Sequence, residues 1–509
     1  MRLSTLLKDM PGSEVVRDAE ISGIAYDSRA ISPGYAFFAI PGFKDDGRRF
    51  IPQALNRGAS AVVTCLNDAF PEAGALGLSE SAGLALVKDP RRALSSAAAV
   101  FYGYPSRDLT VVGITGTKGK TTTCHLVRSV LESCGLRTGL IGTVHNIVGD
   151  EVRPVTRTTP ESSDLQALLR EMVSRDCRAV TMEVSSHALE LYRVEDIFFD
   201  AAVFTNLGWD HLDFHGTMEA YARAKARLFE LLGKTRGAKR ADRPLVASVN
   251  CDDEYSSLFR ERAAGRVVTY GLREGAEVRA EDIETGPRGT SFTMVCGKER
   301  LRLRTRLIGR FNVYNALAAA SVGYGFGFEP VDIVRGLESA ESVRGRVELV
   351  PGTDRFSVWV DYAHTPESLQ NILALARDLS AGKVIVVFGC GGDRDRSRRP
   401  AMGRLAGDMA DLVIITNDNP RTEDEDRILD DIEAGLKESR GKSSYLRIKD
   451  RREAINEAIR RAGKGDVVVI AGKGHETYQI IGDKVYHFDD AEEARKAILA
   501  AGEGSGDLL

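Results

Sequence analysis

The stretch that most constrains the fold is a glycine-rich segment, residues 109–123, which reads LTVVGITGTKGKTTT. Its first part, Leu109 to Ile114, is a short apolar run rich in β-branched residues, typical of a buried strand. A glycine-containing turn follows, and a helix-like stretch then continues through Leu131. Strand, glycine loop and helix together form the context that a phosphate-binding loop requires.

The loop supplies groups that bind phosphate. Glycines allow backbone N–H groups and the helix N-terminus to point at phosphate oxygens. Lys120 can reach the β- and γ-phosphates, and the Thr121 hydroxyl can hold Mg²⁺. The match to G-x-x-x-x-G-K-[ST] is imperfect, because Ile114 stands where the first glycine belongs. An ordinary glycine-rich turn is the alternative, but the G-K-T-T sequence and its flanking elements favour a nucleotide-binding loop.

Length and composition narrow the class of protein. A chain of 509 residues is too long for one core and predicts about three domains. Its net charge of −4 gives no electrostatic reason to expect a nucleic acid or an anionic membrane as partner. We expect no membrane span and no signal peptide, because no apolar run is long enough. Seven scattered cysteines favour a reducing, cytoplasmic location over a disulfide framework.

The order of strand-like and helix-like runs predicts an α/β protein with three domains. Residues 1–102 alternate short strands with a helix, which indicates a small α/β domain. Residues 103–340 contain the phosphate loop and βαβ units, and so predict a mainly parallel sheet. Residues 341–509 alternate strands and helices most regularly, which predicts a doubly wound, Rossmann-like domain.

Polar clusters follow three strands of the predicted third domain, where ligands are expected in such a sheet. They are residues 389–399, 417–422 and 472–477.

Polar residues in the central domain are further candidates. Glu183 ends a predicted strand and is placed to bind Mg²⁺, although a solvated strand end is the alternative. Residues 206–215 hold a density of His and Asp that packing does not explain. Thr158 and Thr159 could simply begin a helix. Lys225 lies on a predicted helix and, from its position alone, is a surface lysine.

These groups, in this order, resemble the Mur ligase family of cytoplasmic peptidoglycan enzymes. The resemblance covers essentially the whole chain. Its carriers are the segments 116–122, 183–187, 206–213, 309–315, 361–364 and 472–476, together with Lys225.

The resemblance implies an ATP-dependent amide ligase. It implies three small-molecule substrates, UDP-N-acetylmuramoyl-L-alanyl-D-glutamate, meso-diaminopimelate and ATP, with ATP and Mg²⁺ needed for the reaction, and a monomeric protein. The sequence Asp418-Asn419-Pro420-Arg421 is similar to the signature of members that use meso-diaminopimelate rather than L-lysine. An arginine can bind a carboxylate with two N–H groups, and diaminopimelate carries one carboxylate more than lysine.

The resemblance also assigns binding residues. For the UDP-linked dipeptide it implies Ser28, Thr158, Thr159, Ser185 and Arg193, and a second contact loop at 43–45. For ATP it implies Gly116, Thr117, Lys118, Gly119, Lys120, Thr121, Thr122, Asn312, Asn315, Arg346 and Asp361. For meso-diaminopimelate it implies Arg394, Asp418, Asn419, Pro420, Arg421, Gly472 and Glu476. The sequence departs from commoner family residues at Lys118, Arg157 and Leu191.

The implied catalytic residues are Lys120, His211 and Lys225. The matching lysine of the family is carbamylated, so Lys225 would become N6-carboxylysine, which requires a depressed lysine pKa. The implied metal ligands are Thr121, Glu183, His211 and Lys225 as its carbamate.

Other functions remain open at this point. The same chemistry could serve L-lysine or a folylpolyglutamate-type acceptor, although Arg421 argues against the first and the N-terminal domain against the second. A second alternative is a phosphate-loop protein that binds or hydrolyses nucleotide as a switch, but such a protein would not need the third α/β domain. A third alternative is a non-catalytic peptidoglycan-binding module, but such a module would not need a complete phosphate loop.

Overall fold

The computed structural model describes residues 1–42, 45–65, 82–239, 244–441 and 443–503. It contains two compact units. The first consists of residues 1–279, 295–299 and 314–336, and the second of residues 280–294, 300–313 and 337–509. Both are α/β, as the sequence predicts. Within the described ranges, no helix combines the length and the apolar character needed to cross a membrane.

The N-terminal part of the first unit is a five-stranded sheet with the spatial order β1-β5-β4-β3-β2. Its strands are β1 (Glu14–Arg17), β2 (Gly23–Ala25), β3 (Tyr35–Phe38), β4 (Ala61–Thr64) and β5 (Gly83–Leu86). Its helices are α1 (Leu3–Leu6), α2 (Ile51–Asn56) and α3 (Pro90–Phe101). Strands β2 to β5 run parallel, and β1 pairs antiparallel with β5. Asp89 caps α3 by accepting hydrogen bonds from two backbone N–H groups.

The central part of the first unit is built on eight neighbouring strands with the order β13-β12-β11-β6-β10-β7-β8-β9. They are β6 (Thr110–Thr115), β7 (Thr138–Ile141), β8 (Asn146–Val148), β9 (Glu151–Arg153), β10 (Ala179–Glu183), β11 (Ala201–Phe204), β12 (Val246–Asn250) and β13 (Arg266–Gly271). From β13 to β7 the pairing is parallel, whereas β8 and β9 are added antiparallel. The mainly parallel sheet is therefore confirmed, with the strand before the phosphate loop at its centre.

Helices of this part are α4 (Lys120–Ser133), α5 (Ser162–Ser174), α6 (Ser186–Glu190), α7 (Leu212–His215), α8 (Met218–Thr235) and α9 (Ser256–Glu261). The segment that follows contains β14 (Val278–Gly286), β15 (Gly289–Cys296), β16 (Glu299–Thr305), α10 (Arg310–Gly325) and α11 (Pro330–Ser339).

The second unit contains a six-stranded sheet with the order β17-β18-β22-β19-β20-β21. Its strands are β17 (Glu348–Val350), β18 (Ser357–Asp361), β19 (Val384–Phe388), β20 (Leu412–Ile415), β21 (Ser444–Arg447) and β22 (Val467–Ala471), and a separate hairpin is formed by β23 (Tyr478–Ile481) and β24 (Lys484–His487). Its helices are α12 (Pro366–Leu379), α13 (Arg398–Met409), α14 (Glu425–Lys437), α15 (Arg451–Arg461) and α16 (Asp490–Glu503). All strands of the sheet except β17 run parallel.

Both faces of this six-stranded sheet are covered. Along β19, Val384, Val386 and Phe388 pack into one apolar core, whereas Ile385 and Val387 pack into another. Alternate side chains of a strand point to opposite faces, so the two cores lie on the two sides of the sheet. The predicted doubly wound architecture is confirmed.

A buried ion pair joins the carboxyl ends of two strands in the second unit. Arg451 and Asp490 are both fully buried, and the guanidinium donates two hydrogen bonds of 2.7 Å to the carboxylate. The same guanidinium donates to the carbonyl oxygens of Ala471, at 3.0 Å, and Asn417, at 3.4 Å. The pair therefore holds the ends of β22 and β20 against the first turns of α15 and α16.

We expect Arg451→Met to destabilise the second unit by about 3–5 kcal/mol, because it leaves the Asp490 carboxylate buried without its partner. Denaturant unfolding followed by the fluorescence of the buried Trp359 measures this loss. The double variant Arg451→Met/Asp490→Leu is the control, since it removes both charges and should recover much of the stability. An unchanged unfolding midpoint in the single variant would contradict the role of the pair.

Candidate active site

The phosphate loop connects β6 to α4, as predicted. Gly116 and Gly119 have φ angles of +147° and +83°, a region that side chains other than glycine rarely adopt. A Cβ atom at Gly116 would collide with Oγ1 of Thr205, and one at Gly119 with Oδ1 of Asn315. The loop therefore needs glycine at both positions, and α4 begins directly after it at Lys120.

The segment after β11 anchors the loop. The side-chain amide of Asn206 accepts a hydrogen bond from the backbone N–H of Lys118 at 2.9 Å and donates one to its carbonyl at 3.1 Å. The Thr117 hydroxyl accepts a hydrogen bond of 2.9 Å from the backbone N–H of Gly208. These contacts use the backbone of Lys118, so the departure from the commoner family residue is compatible with this loop.

The side-chain nitrogens of two lysines meet at one carbonyl of the loop. Lys120 Nζ donates to Gly116 O at 2.9 Å, and Lys225 Nζ donates to the same oxygen at 2.8 Å. Lys225 lies on α8 and is only 1% exposed, so its interpretation as a surface lysine is wrong. Burial, and next the charge of Lys120, hold the pKa of Lys225 well below its usual value. A neutral amine is the form that reacts with CO₂, so this environment suits a carbamate.

Glu183 ends β10 as predicted and is 1% exposed. Its Oε1 accepts hydrogen bonds from the Thr121 hydroxyl at 3.0 Å and from the backbone N–H of Thr143 at 2.7 Å. Its Oε2 accepts one from the Thr143 hydroxyl at 3.1 Å. A buried carboxylate beside a hydroxyl offers the hard oxygen ligands that Mg²⁺ prefers, so these residues fit the ion.

His211 lies among aromatic rings. Its ring centroid lies 4.9 Å from that of His187 and 6.2 Å from that of Tyr221. Burial, and next the charge of His211, lower the pKa of His187. Within the described ranges, no three His, Cys, Asp or Glu side chains come together as a metal site. Of the predicted metal ligands, the structure thus brings Thr121 and Glu183 into direct contact.

Predicted substrate residues gather at the end of the same strand. The Thr159 hydroxyl donates to the carbonyl of Glu183 at 2.9 Å and accepts from the backbone N–H of Ser185 at 3.2 Å. Arg193 donates to the carbonyl of Thr159 at 3.2 Å. Thr158 joins them, because its hydroxyl is hydrogen-bonded to that of Thr143 at 3.1 Å.

Three arginines surround the carboxylate of Glu161, next to these predicted substrate residues. Arg193 pairs with its carboxylate at 2.8 Å, Arg91 at 4.0 Å, and Arg157 also donates to it. Burial lowers the pKa of Arg193 despite the favourable charge of Glu161. Three cations around one carboxylate leave a positive balance, which suits an anionic ligand. The sequence analysis did not identify Arg91 or Glu161.

Ser28 lies in a 3₁₀ turn of the N-terminal part. It is buried, and its hydroxyl donates to Gln53 Oε1 at 2.8 Å. Two residues earlier, the Tyr26 hydroxyl donates to the Asp164 carboxylate of α5 at 2.8 Å. Phe43 and Lys44 of the predicted second contact loop lie outside the described residues.

The predicted nucleotide residues beyond the loop are found in both units. In the first, Asn315 Oδ1 accepts a hydrogen bond from the Thr123 hydroxyl at 3.3 Å. In the second, Asn312 is buried and its amide donates to Ile308 O at 2.8 Å. Asp361 ends β18, and burial raises the pKa of its carboxyl. The Arg346 guanidinium lies 5.3 Å from the centroid of the Tyr362 ring.

In the second unit, β22, β19 and β20 are parallel neighbours, so their carboxyl ends come together as predicted. At this edge, the Asn419 amide donates a hydrogen bond of 2.9 Å to Glu476 Oε2. Gly472 has a φ of +114°, and a Cβ atom there would lie 2.6 Å from Asp418 Oδ2. The predicted acceptor residues from two separate segments are thus in contact.

Arg421 is held by its backbone and its side chain. Its φ is +53°, its N–H donates to Ile480 O at 3.1 Å, and its carbonyl accepts from Gly482 at 2.7 Å. Its Nη1 donates to Gly392 O at 2.7 Å. The hairpin of β23 and β24, which the sequence analysis missed, therefore positions this arginine. Arg394 is exposed on the neighbouring loop, and Pro420 is buried.

Comparison with known proteins identifies the family of the chain. Three family models match the chain: the Mur ligase family catalytic domain over residues 20–102, the Mur ligase middle domain over 114–323, and the Mur ligase glutamate ligase domain over 345–474.

Two relatives are named UDP-N-acetylmuramoyl-L-alanyl-D-glutamate–2,6-diaminopimelate ligase. The protein of Geobacillus thermodenitrificans is 45% identical over 500 residues, which are 98% of this chain and 99% of the relative. That of Caldanaerobacter subterraneus is 45% identical over 509 residues, covering 99% and 100%.

Solved structures match as well. One of a ligase with the same name is 33% identical, covers 95% of both chains and has a TM-score of 0.69. A MurF structure from Acinetobacter baumannii, 21% identical, covers 92% of this chain and 95% of its own with a TM-score of 0.59, and shows the shared fold. On its sequence, its fold and the residues gathered at its strand ends, the chain belongs to the Mur ligase family.

Proposed function

We propose that the chain is an ATP-dependent amide ligase that adds meso-diaminopimelate to UDP-N-acetylmuramoyl-L-alanyl-D-glutamate in peptidoglycan precursor synthesis. One observation supports meso-diaminopimelate as the acceptor: the segment of residues 418–421 packs against Glu476 and Gly472. Groups suited to bind a carboxylate and groups suited to bind an ammonium therefore lie at one edge of a sheet. The names of the relatives that match the chain over its full length support the same assignment.

The reaction joins two substrates through an activated carboxylate. An oxygen of the D-glutamate carboxylate attacks the γ-phosphorus of ATP, the bond to the β-phosphate oxygen breaks, and ADP leaves. The amine of diaminopimelate then attacks the carbonyl carbon of the acyl phosphate. The tetrahedral intermediate loses phosphate and a proton, and an amide remains. Such transfers depend mainly on positioning and on neutralising the developing charge.

The phosphate loop provides that neutralisation. Its N–H groups at the start of α4 and the Lys120 ammonium would bind the phosphates of ATP. Lys120 now donates to the loop carbonyls of Gly116 and Thr117. We propose that it exchanges these bonds for the phosphate oxygens of bound ATP. Asn312, Asn315, Arg346 and Asp361 are proposed contacts of the rest of the nucleotide.

Thr121 and Glu183 would hold Mg²⁺, with His211 and Lys225 as further proposed ligands. The ion, when bound, supplies positive charge to the phosphate oxygens and lowers the cost of attack by a carboxylate. Because the structure gathers few protein ligands, water and phosphate oxygens would complete the shell, as is common for this ion.

Lys225 is proposed to act as a carbamate. Its neutral amine attacks CO₂, a nitrogen–carbon bond forms, and a proton is lost, which leaves an anionic oxygen donor. This change gives Lys120 an anionic neighbour in place of an amine whose protonated form it would repel.

The remaining residues would recognise the two acceptors. Ser28, Thr158, Thr159, Ser185 and Arg193 are proposed to bind the UDP-linked dipeptide. At the other site, Arg421 and Arg394 would bind the distal carboxylate of diaminopimelate, and Glu476 its distal ammonium. A cytoplasmic monomer with domain boundaries near residues 102 and 340 completes the proposal.

We expect Glu183→Gln to lower the rate of ADP formation by 100-fold or more and to raise the Mg²⁺ concentration needed for half-maximal rate, because an amide is a weaker metal ligand than a carboxylate. A Mg²⁺ titration of acceptor-dependent ADP release measures both. Glu190→Gln, seven residues beyond the strand end, is the matched control and should behave as the parent. An unchanged Mg²⁺ requirement in Glu183→Gln would refute its role as a ligand.

We expect the parent enzyme to lose activity in buffer stripped of CO₂ and to regain it with bicarbonate. Lys225→Gln should show no response to bicarbonate. Protonation of Lys225 prevents its reaction with CO₂, so bicarbonate activation should weaken as the pH is lowered, and the lowered pKa moves this loss to a lower pH than for an ordinary lysine. Carbon-13 NMR with labelled bicarbonate should show a carbamate signal in the parent alone. A parent enzyme without that signal would contradict the modification.

The acceptor is tested by ADP release with UDP-N-acetylmuramoyl-L-alanyl-D-glutamate and either meso-diaminopimelate or L-lysine. We expect the parent to turn over with diaminopimelate only. In Arg421→Ala the preference for diaminopimelate over L-lysine should fall by 100-fold or more, because a pair of charged hydrogen bonds to the acceptor is lost. Arg427→Ala, on the exposed face of the next helix, is the control. Equal turnover with L-lysine in the parent would limit the proposal to the ligase chemistry, and no response to either acceptor would refute it.

A further inference from the structure

Lys473, in the loop after β22, is a buried cation that the proposed mechanism does not use. Its side chain is 0% exposed. Its Nζ donates to Asn419 Oδ1 at 3.2 Å and lies 3.4 Å from Glu476 Oε2. The same ammonium lies 5.5 Å from the centroid of the Tyr478 ring. Burying an ammonium is costly unless its partners satisfy it, so these contacts define what the residue does.

The contacts of Lys473 determine which way the Asn419 amide points. Oδ1 of Asn419 accepts from Lys473 Nζ and, at 2.9 Å, from the backbone N–H of Ile480. Two donors on one atom require that atom to be the oxygen. The other end of the amide is therefore the NH₂ group, and it donates to Glu476 Oε2 at 2.9 Å.

The Glu476 carboxylate is oriented in turn. Within the described part of the chain, the hydrogen bonds and the ion pair recorded for its carboxylate all reach Oε2. Oε1 remains available to a further donor, and a carboxylate has lone pairs for it. The side chain is partly exposed, so a ligand in solution can reach it.

We propose that Lys473 is a positioning residue for the acceptor amino acid. Its ammonium holds the Asn419 amide, the amide holds Oε2 of Glu476, and Oε1 then receives the distal ammonium of diaminopimelate. This inference rests on the proposed function and adds to it the device that orients the ammonium-binding carboxylate. Lys473 contacts protein groups and acts on the acceptor through Asn419 and Glu476.

Removing the ammonium has two opposing effects. It takes away a positive charge that competes with the incoming ammonium, which favours acceptor binding. It also removes one of the two donors to Asn419 Oδ1 and leaves the Ile480 N–H, so the amide is held less firmly in the orientation in which it donates to Glu476. Because Asn419 makes the shortest side-chain contact to Glu476, we expect the loss of orientation to prevail.

The test is Lys473→Met in the full-length enzyme, since methionine has a similar length and no donor. ADP release is measured while each substrate is varied. We expect the KM for meso-diaminopimelate to rise about tenfold or more, the size of one lost charged hydrogen bond. The KM values for ATP and for the UDP-linked dipeptide, and kcat at saturation, should change less than about twofold.

Three further variants separate positioning from general damage to the fold. Asn419→Ala should raise the same KM, and the double variant with Lys473→Met should add nothing, because both remove one chain of contacts. Ile470→Val, a buried change on the preceding strand, should lower the melting temperature and leave that KM unchanged. Lys473→Gln, which keeps an N–H donor, should show a smaller effect and replaces Lys473→Met if that variant fails to fold.

An unchanged or lower KM for diaminopimelate in the Lys473 variants would overturn the inference. Effects of Lys473→Met and Asn419→Ala that multiply in the double variant would overturn it too. Failure of the proposed function looks different, because the parent itself would then release no ADP in response to diaminopimelate.

Discussion

The site of the first unit depends on the register of three parallel strands. In this register Glu183 at the end of β10 lies beside Ile114 of β6, and Phe204 at the end of β11 lies beside Thr115. Three chain segments therefore leave the sheet at one level, because parallel strands end at a common edge. The phosphate loop, the carboxylate and the anchoring Asn206 meet there as a result of backbone pairing. Their side chains are then close enough to contact one another.

The second unit repeats this arrangement with one addition. The ends of β20 and β22 are not adjacent in the sheet, since β19 lies between them. The Arg451 guanidinium spans them by binding the carbonyls of Asn417 and Ala471, and Asp490 neutralises it. The two residues that follow those carbonyls, Asp418 and Gly472, begin the acceptor cluster. A buried ion pair is thus placed beneath the part of the site that must discriminate between charged ligands.

Much of the fold could be predicted from the sequence, because strands such as β19 and β22 are continuous apolar runs followed by glycine and polar residues. The phosphate loop and Glu183 were found for the same reason, since each follows such a run. Contacts between segments that are distant in the sequence leave no pattern in the sequence around either residue. Lys225 has the pattern of a surface helix residue; the family resemblance singled it out for its chemistry, and the structure shows that it is buried. Lys473 belongs to a recognised segment, yet its role depends on Asn419, 54 residues away.

The N-terminal part shows the same limit. Helix α3 is rich in alanine and serine and holds few large apolar residues, and the sequence analysis missed it. It places Arg91 near Glu161, and three arginines from separate segments then surround one carboxylate. Such a cluster follows from tertiary packing, and no spacing within the sequence predicts it.

The left-handed backbone of Arg421 restricts how an enzyme of this kind can change its acceptor during evolution. At a φ of +53°, glycine, asparagine and aspartate are tolerated at low cost, whereas β-branched residues are strained. Variants with valine, isoleucine or threonine at this position would therefore fold less stably. Selection would remove them for that reason, whatever their effect on the choice of acceptor. The hydrogen bonds between this residue and β23 keep the backbone in place whichever side chain is present. The routes from one acceptor to another are fewer than the genetic code alone would allow.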